Sequence, residues 1–470
     1  MIGPELPRYA QVFMLDVPAE VDRPFHYSIP PNLRADVRVG TFVVVPFGRS
    51  NKRRFALVTG VSYEVPDYIQ NITKPVLSSL YRDVVLDEEM LRLCNFLRDY
   101  TLCTMGDAVR AVVPTAAFGR LNEYYYVLRE PPITRRYNER DFLLVQFVKL
   151  HDRVSFSRIR SEFGGAVVDD IAKLVKDNIL GCDTVHADPT DLKTEVYALT
   201  DTARAFQLSD QKKFGSRQLA ILNALIGRET MTGDELKEAV GPCRPQLKAL
   251  LDKGILTCKT VEKYRDPYAQ EVPTAPPDDN ILSQAQKEAL AQILALYQTG
   301  QPKAALLHGI TGSGKTRVIK AAMDHVLSSG RQIILLIPEI SLTPQTVGYF
   351  RACYGERVAV IHSSLSNGER YDMWKRIRRG EVDICIGTRS AIFAPFSNIG
   401  MIVIDEEQEH TYKSDMSPRY HARDVARFRC AQHNALMLLA SATPSIESYY
   451  KAKNGKYTLI SLKERYGGAT

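Results

Sequence analysis

The chain has 470 residues, of which 45% are hydrophobic and 24% charged, and its net charge is +7. Domains average roughly 150 residues, so this length predicts about three domains, and the modest basic excess permits a nucleic-acid partner without requiring one. No apolar run reaches the roughly 20 residues that span a bilayer, and the start of the chain lacks a signal-peptide pattern, so we expect a cytoplasmic protein with no membrane partner.

Residues 1–115 alternate short apolar runs with proline and glycine, as in the segments 41–48 and 55–60. This pattern predicts a small β-rich domain, closed by a helix over residues 87–100. The basic turn at residues 49–54 could meet phosphates, although a solvated hairpin tip explains it equally well.

Residues 139–262 repeat themselves with an offset of 76 positions, most clearly in the segments 178–185 and 254–261. Each match follows an amphipathic helix and, before it, an apolar helix, which predicts a winged-helix-like region. Whether this region holds one such unit or two stays open, as does the choice between DNA contact and a spacer role. The proline-rich and acidic stretch at 263–280 is interpreted as a linker.

From residue 281 to 470 buried strands alternate with helices. Near-continuous apolar runs of this kind indicate a parallel sheet covered on both faces; they span residues 304–307, 333–337, 358–361, 384–386, 401–404 and 436–439. The fold class predicted for the whole chain is therefore multidomain α/β: a β-rich first domain, a winged-helix-like region, and one RecA-like lobe.

A P-loop pattern follows the first of these strands and precedes a helix. Glycines let the backbone turn its N–H groups toward a phosphate, while Lys315 neutralises the phosphate oxygens and the Thr316 hydroxyl can ligate Mg²⁺. The pattern predicts ATP and Mg²⁺ as cofactors, bound by Gly309, Thr311, Gly312, Ser313, Gly314, Lys315 and Thr316.

A second set of polar residues follows the strand at 401–404. Because ligands of parallel sheets bind at the carboxyl ends of the strands, Asp405 is predicted to hold Mg²⁺ and Glu406 to orient the attacking water. Lys315, Glu406 and Asp405 are thus the candidate catalytic residues. Ser441 and Thr443, after the next strand, are predicted to relay the state of the γ-phosphate.

The remaining candidates are polymer contacts. Two loops that follow strands, at 338–345 and 387–391, offer hydroxyl and charged groups to a phosphate backbone, and the segment 412–424 mixes aromatic and basic residues as single-strand binders do. The predicted DNA contacts are Thr343, Gln345, Thr388, Arg389, Tyr412, Arg419, Tyr420, His421 and Arg423. The alternative interpretation is a simple turn for each of the two loops and a packed surface loop for the segment 412–424.

These elements, in this order and spacing, resemble superfamily 2 helicases and, more closely, the PriA family of primosomal replication-restart helicases. The sequence Pro-Arg-Tyr-His-Ala-Arg-Asp at 418–424 is the most specific match. The resemblance implies an ATP-dependent 3′ to 5′ DNA helicase that recognises stalled or abandoned forks and initiates primosome assembly. It also implies Gln286 as the reader of the adenine and, as partners, forked and single-stranded DNA, single-strand-binding protein and replicative-helicase loaders.

The first domain resembles the family's domain that captures a DNA 3′ end, which implies that Phe25, His26, Gly48 and Lys74 line the pocket. The sequence departs from the family in three respects. The family commonly has Asp where His26 stands, and His where Gln408 faces the γ-phosphate. The second motor lobe, with its arginine fingers, and the zinc-binding cysteine cluster are not found in this sequence, so we expect this chain alone to be inactive as a helicase.

An alternative function stays open, in which the chain is a fork-binding loader module whose nucleotide site acts as a switch rather than as a motor. The loaders, the oligomeric state and the effect of the two departures are not determined by the sequence.

Overall fold

The computed structural model describes residues 6–48, 51–66, 69, 73–80, 84–134, 136–187, 191–200, 214–268 and 282–465. Parts of the predicted basic turn at 49–54 and of the linker at 263–280 lie outside these residues. Within them, none of the helices has the length and apolar character needed to cross a bilayer.

The first domain is built on a mixed six-stranded sheet in the order β5-β2-β1-β4-β3-β6. Its strands are β1 (Tyr9–Met14), β2 (Phe25–Ser28), β3 (Phe42–Phe47), β4 (Lys52–Ser62), β5 (Lys74–Pro75) and β6 (Ser78–Ser79). Two helices follow, α1 (Glu88–Thr101) and α2 (Met105–Val112). Asp87 and Thr104 cap them, each accepting a hydrogen bond from a backbone N–H of the first turn.

Two units of the same element order come next. The first contains β7 (Arg120–Val127), α3 (Glu139–Leu150), β8 (Val154–Ser155), α4 (Phe156–Phe163), α5 (Val167–Lys176) and β9 (Leu180–Ala187). The second contains β10 (Lys193–Leu199), α6 (Ser216–Leu225), β11 (Met231–Thr232), α7 (Gly233–Val240), α8 (Arg244–Asp252) and β12 (Leu256–Glu262). In each unit the opening strand pairs antiparallel with the other two strands.

The likeness of the two units extends to single side chains. Their cores hold corresponding residues 76 or 77 positions apart, such as Ile159 with Leu236 and Leu174 with Leu250. In both units the hydroxyl of a buried tyrosine donates to the glutamate two residues before it, Tyr125 to Glu123 at 2.8 Å and Tyr197 to Glu195 at 2.6 Å. The segment therefore contains the same unit twice. Residues 190–266 form a compact unit of their own.

The last region is a doubly covered parallel sheet in the order β15-β16-β14-β17-β18-β13-β19. Its strands are β13 (Lys303–Gly309), β14 (Gln332–Leu336), β15 (Val358–Ile361), β16 (Ile384–Gly387), β17 (Ile399–Ile404), β18 (Leu436–Ser441) and β19 (Thr458–Leu462). Helices α9 (Gln284–Gln298), α10 (Lys315–Ser328) and α11 (Pro344–Tyr354) pack on one face, and α12 (Asn367–Arg378), α13 (Ala422–His433) and α14 (Ile446–Lys453) on the other. The predicted α/β fold with a parallel RecA-like sheet is confirmed.

The second face of this sheet shares one hydrophobic core with α1 and α2 of the first domain. At its centre lies Arg429, whose side chain is fully buried. Its guanidinium donates to both carboxylate oxygens of Glu89, at 2.9 and 3.2 Å, and to the carbonyls of Ile392 and Ala394, both at 2.8 Å. The first domain and the motor lobe are thus joined through a packed interface that contains a buried ion pair.

Among the strands not predicted from the sequence are β7, which lies before the predicted repeat at 139–262, β10 and β19. The repeated unit consequently begins at the strand Arg120–Val127 rather than at its first helix.

Candidate nucleotide and DNA sites

The P-loop connects β13 to α10, as its sequence context predicted. Gly312 and Gly314 have φ angles of +79° and +78°, which side-chain-bearing residues rarely adopt. The Lys315 ammonium donates to the carbonyl of Gly309 at 3.0 Å. The Ser313 hydroxyl is buried without a hydrogen-bond partner among the described residues. A lysine bonded only to the loop's own carbonyl and an unpartnered hydroxyl are groups that a bound phosphate would satisfy, so the loop fits the nucleotide its sequence predicts.

Gln286 lies behind this loop at the start of α9. Its side-chain amide donates to the carbonyl of Ser313 at 2.9 Å, and its side-chain carbonyl accepts from the backbone N–H of Ser283 at 2.9 Å. The side chain is 1% exposed. In this structure Gln286 therefore supports the P-loop from behind, and its role as reader of the adenine stays a prediction.

The acidic segment follows β17 at the same sheet edge as the P-loop. Burial, followed by the nearby negative charge of Glu406, raises the pKa of Asp405 to about 6. The backbone N–H of Glu406 donates to Asp405 at 3.0 Å, and the Tyr412 hydroxyl donates to the carbonyl of Asp405 at 2.7 Å. A divalent cation at this carboxylate would favour its ionised form, so the environment fits the predicted Mg²⁺ ligand. Thr316 is in the first turn of α10, which follows β13 at the same edge of the sheet.

A chain of hydrogen bonds leads from the acidic segment to β18. The side-chain amide of Gln408 donates to Glu406 at 3.0 Å, and the Ser441 hydroxyl donates to the side-chain carbonyl of Gln408 at 2.6 Å. Ser441 in turn accepts from the backbone N–H of Thr443 at 2.9 Å. Gln408, which departs from the residue common in the family, therefore links Glu406 to both predicted coupling residues, because its amide has a donor and an acceptor to offer.

Arg423 occupies a different position from the DNA contact predicted for it. Its guanidinium donates to the buried carboxylate of Glu407 at 2.9 Å and to the hydroxyls of Ser445 and Ser448 at 3.0 and 2.7 Å. Glu407 also accepts from the backbone N–H and the hydroxyl of Ser445. The side chain of Arg423 thus fixes the acidic segment to the start of α14, and this internal ion pair replaces the predicted contact with DNA.

Three further predicted DNA contacts are also inside the protein. Tyr412 and Tyr420 are 1% and 5% exposed, and Thr388 is 4% exposed, so none of them is available for stacking or for phosphate contact. Arg389 is partly exposed, but its guanidinium donates to the carbonyls of Thr411 and Lys413. These side chains therefore pack inside the lobe. Aromatic and arginine residues near a sheet edge can pack against the sheet as well as face solvent, so the sequence pattern alone does not place them at the surface.

The candidates that remain at the surface are Thr343, Gln345 and Arg419, with His421 partly exposed. Lys413, which belongs to the predicted aromatic and basic segment 412–424, is also exposed and donates to the carbonyl of Arg419 at 2.8 Å. These residues are the exposed candidates for DNA contact on the lobe, and their contact with DNA stays a prediction.

The first domain contains a cavity of about 870 Å³ that all four predicted pocket residues line: Phe25, His26, Gly48 and Lys74. Phe25 packs edge to face against Phe47, with ring centroids 5.2 Å apart. The Lys74 ammonium donates to the Gly48 carbonyl and the Asn51 side chain, both at 2.7 Å. Exposed aromatic edges beside cations suit a terminal nucleotide.

The wall of this cavity is tied to the helices that contact the motor. Asp22, between two lining residues, accepts from the backbone N–H of Met105 with both oxygens at 3.1 Å and pairs with Arg98 at 3.0 Å. Farther along α2, Asp107 accepts from the Ser417 hydroxyl of the motor loop at 3.0 Å. No local sequence signal predicts these contacts, because they join residues separated by 83 and 310 positions.

Known protein families match both the first domain and the motor lobe. Residues 13–114 match the family described as the 3′ DNA-binding domain of PriA, and residues 283–452 match the DEAD/DEAH box helicases. The chain is 35% identical over 465 residues to the replication restart protein PriA of Bacillus subtilis, covering 97% of this chain and 56% of the relative. The corresponding protein of Chlamydia trachomatis is 30% identical over 468 residues, covering 98% of this chain and 52% of the relative.

The fold, the P-loop and these matches define a lobe of the DEAD/DEAH box helicase type joined to a domain that matches the 3′ DNA-binding family. The chain is similar over nearly its whole length to the replication restart proteins PriA named above. It spans about half the length of these curated relatives.

Proposed function

We propose that this chain supplies the ATP-binding lobe and the 3′-end-binding domain of an ATP-dependent 3′ to 5′ DNA helicase. In this proposal it acts in the cytoplasm on stalled or abandoned replication forks and starts primosome assembly, with single-strand-binding protein and helicase loaders as its protein partners. The observation that carries the proposal is the hydrogen-bonded chain from Glu406 through Gln408 to Ser441 beside a P-loop. In this proposal these hydrogen bonds connect Glu406, which acts in hydrolysis, to the end of β18, near the exposed loop proposed to bind the polymer. A motor requires such a connection between ATP hydrolysis and polymer binding.

Each site residue has a defined part in this proposal. Lys315 binds the phosphate oxygens, Thr316 and Asp405 hold Mg²⁺, and Glu406 orients the attacking water. Bound ATP and Mg²⁺ supply the phosphoryl group and its charge neutralisation. Because Glu406 has a φ angle of +43°, its backbone is held in a conformation that is uncommon for a glutamate, as is often found at functional sites.

The test separates binding from hydrolysis in the full-length protein. Lys315→Ala should weaken ATP binding, whereas Glu406→Gln should bind ATP normally and lose single-strand-stimulated turnover by on the order of 10²-fold or more. Glu409→Gln, in the same acidic segment, is the matched control and should keep turnover. Near-normal turnover in Glu406→Gln would show that the catalytic assignment is wrong.

The alternative proposal, a fork-binding loader with a nucleotide switch, is favoured if full-length protein binds ATP tightly but hydrolyses it slowly whether or not single strands are present. The end-binding domain is tested separately, on forks with and without a leading-strand 3′ end at the junction. Phe25→Ala should remove the preference for the fork that has the end. A protein that never distinguishes the two forks would exclude 3′-end capture.

A further inference from the structure

The two repeated units have the same fold but use their surface charges differently. In the first unit five cations are neutralised within the unit, through the ion pairs Arg136–Asp177, Arg140–Asp170, Lys149–Glu130, Arg153–Asp183 and Lys173–Asp141. In the second unit the described residues form one ion pair with each other, Lys263–Asp234. Among the described residues of the second unit, the exposed cations Arg244 and Lys248 have no acidic partner, so their charge is available to an external anion.

The contrast is sharpest on the third helix of each unit, α5 and α8. The buried pair Leu174 and Leu250 aligns these helices 76 positions apart. The first turn of α5 carries Asp169 and Asp170, whereas the first turn of α8 carries no acidic residue. Because the amino end of a helix has a partial positive charge, the acids of α5 neutralise that end, and α8 leaves it free.

The exposed positions of the two helices differ in the same direction. Val168 and Ala172 of α5 correspond to Arg244 and Lys248 of α8, and all four are exposed. Arg244 and Lys248 are four residues apart, so they lie on one face of the helix. Neither makes an ion pair or a side-chain hydrogen bond anywhere in the described part of the chain.

Strands β7 and β9 of the first unit also contact the first domain. His186 of β9 bonds through its ring to the carbonyl of Phe118 at 2.9 Å, Arg53 of the first domain donates to the carbonyl of Thr184, and Lys52 pairs with Glu123 at 3.4 Å. These contacts fix the first unit to the 3′-end-binding domain. They suit a spacer.

We propose that the second unit, residues 190–266, is a duplex-DNA-binding module that docks the Arg244 and Lys248 face of α8 on the DNA, while the first unit is a spacer. The third helix of a small three-helix unit has the diameter of roughly 10–12 Å that a major groove about 12 Å wide admits. A duplex fits better than a single strand because α8 contains no aromatic residue on which bases could stack. The inference rests on the proposed function only in taking DNA as the bound polymer.

The test uses the whole 470-residue chain and a covalently closed dumbbell duplex, which offers no 3′ end to the first domain. The double variant Arg244→Val, Lys248→Ala gives α8 the residues of α5. It should lower duplex affinity about tenfold and reduce the slope of log affinity against log salt by about 2, one for each lost phosphate contact. A charge-preserving variant, Arg244→Lys with Lys248→Arg, should keep the wild-type slope and so exclude misfolding as the cause.

The matched control removes two exposed cations from the first unit, Arg158→Ala with Lys176→Ala. It should leave affinity and slope within about twofold of wild type. An equal loss of duplex affinity in both double variants, or no loss in the α8 variant, would overturn the inference. Binding to a 3′-ended single strand, measured in parallel, would then still support the proposed function. If the chain bound neither the duplex nor the single strand, both the inference and the proposed function would be refuted.

Discussion

Replacing Arg429 with methionine removes a guanidinium that is fully buried between the first domain and the motor lobe. The change leaves the Glu89 carboxylate, which is 11% exposed, without its partner, and leaves the carbonyls of Ile392 and Ala394 without their donor. Breaking one side of a buried pair costs roughly 3–5 kcal/mol. We expect a loss of that size in the stability of the interface.

The pH dependence gives a second measure of the same contact. Burial by itself would raise the pKa of Glu89, but the charge and hydrogen bonds of Arg429, with a smaller contribution from the neighbouring His433, lower it to about 2 from its usual 4.5. A shift of this size corresponds to roughly 3 kcal/mol, in agreement with the range expected from geometry. Because the folded-state pKa is the lower one, the stabilisation is complete above pH 4.5 and is lost as the pH falls from there toward 2.

Hydrogen exchange of the amides in α1 and α13 measures this effect, since a chain of several domains does not unfold in two states. Arg429→Met should raise exchange in both helices together at pH 7. The control is Arg92→Met, which removes an exposed ion pair with Glu88 and should change stability by less than about 0.5 kcal/mol. If both variants exchange alike, the buried pair does not hold the interface.

Three further predictions concern single residues. Gly314→Ala places a carbon 2.3 Å from a neighbouring side-chain amide, so ATP binding should weaken more than tenfold, whereas Gly330→Ala, equally strained at φ +73° but with open space around it, should bind ATP as wild type. Gln408→Ala interrupts the chain to β18, so the full-length protein should bind ATP but lose about tenfold of its strand-stimulated turnover; unchanged stimulation would show that the chain carries no signal. Tyr125→Phe and Tyr197→Phe each remove the same tyrosine–glutamate hydrogen bond, so each should destabilise its own unit by about 1 kcal/mol in hydrogen exchange; clearly unequal losses would contradict the equivalence of the units.

The nucleotide-binding elements could be predicted from the sequence because their chemistry is local. The glycines of the P-loop, Lys315 and the acids after β17 stand next to the strands that position them, and these strands belong to the parallel sheet that their apolar pattern predicts. The repeat was visible because its core residues recur at a nearly constant spacing. Both signals are properties of short segments.

The positions of Tyr412, Tyr420 and Arg423 could not be predicted in this way. An aromatic and basic segment has the same appearance whether it faces solvent or packs inward, and the difference lies in partners such as Glu407 and Ser448 on other elements. The pair Glu89–Arg429 joins residues 340 positions apart. Only the assembled fold shows such contacts.

The opening strand of each repeated unit pairs with its closing strand, so that Arg120 faces Ala187 and Lys193 faces Glu262. The chain therefore enters and leaves each unit at neighbouring positions on one edge of its sheet. A segment with adjacent ends can be added to a loop, or removed from it, without moving the flanking structure. Joining Ala187 to Lys263 should thus yield a protein that retains its first domain and motor lobe, and the same geometry offers a simple route by which the unit became duplicated.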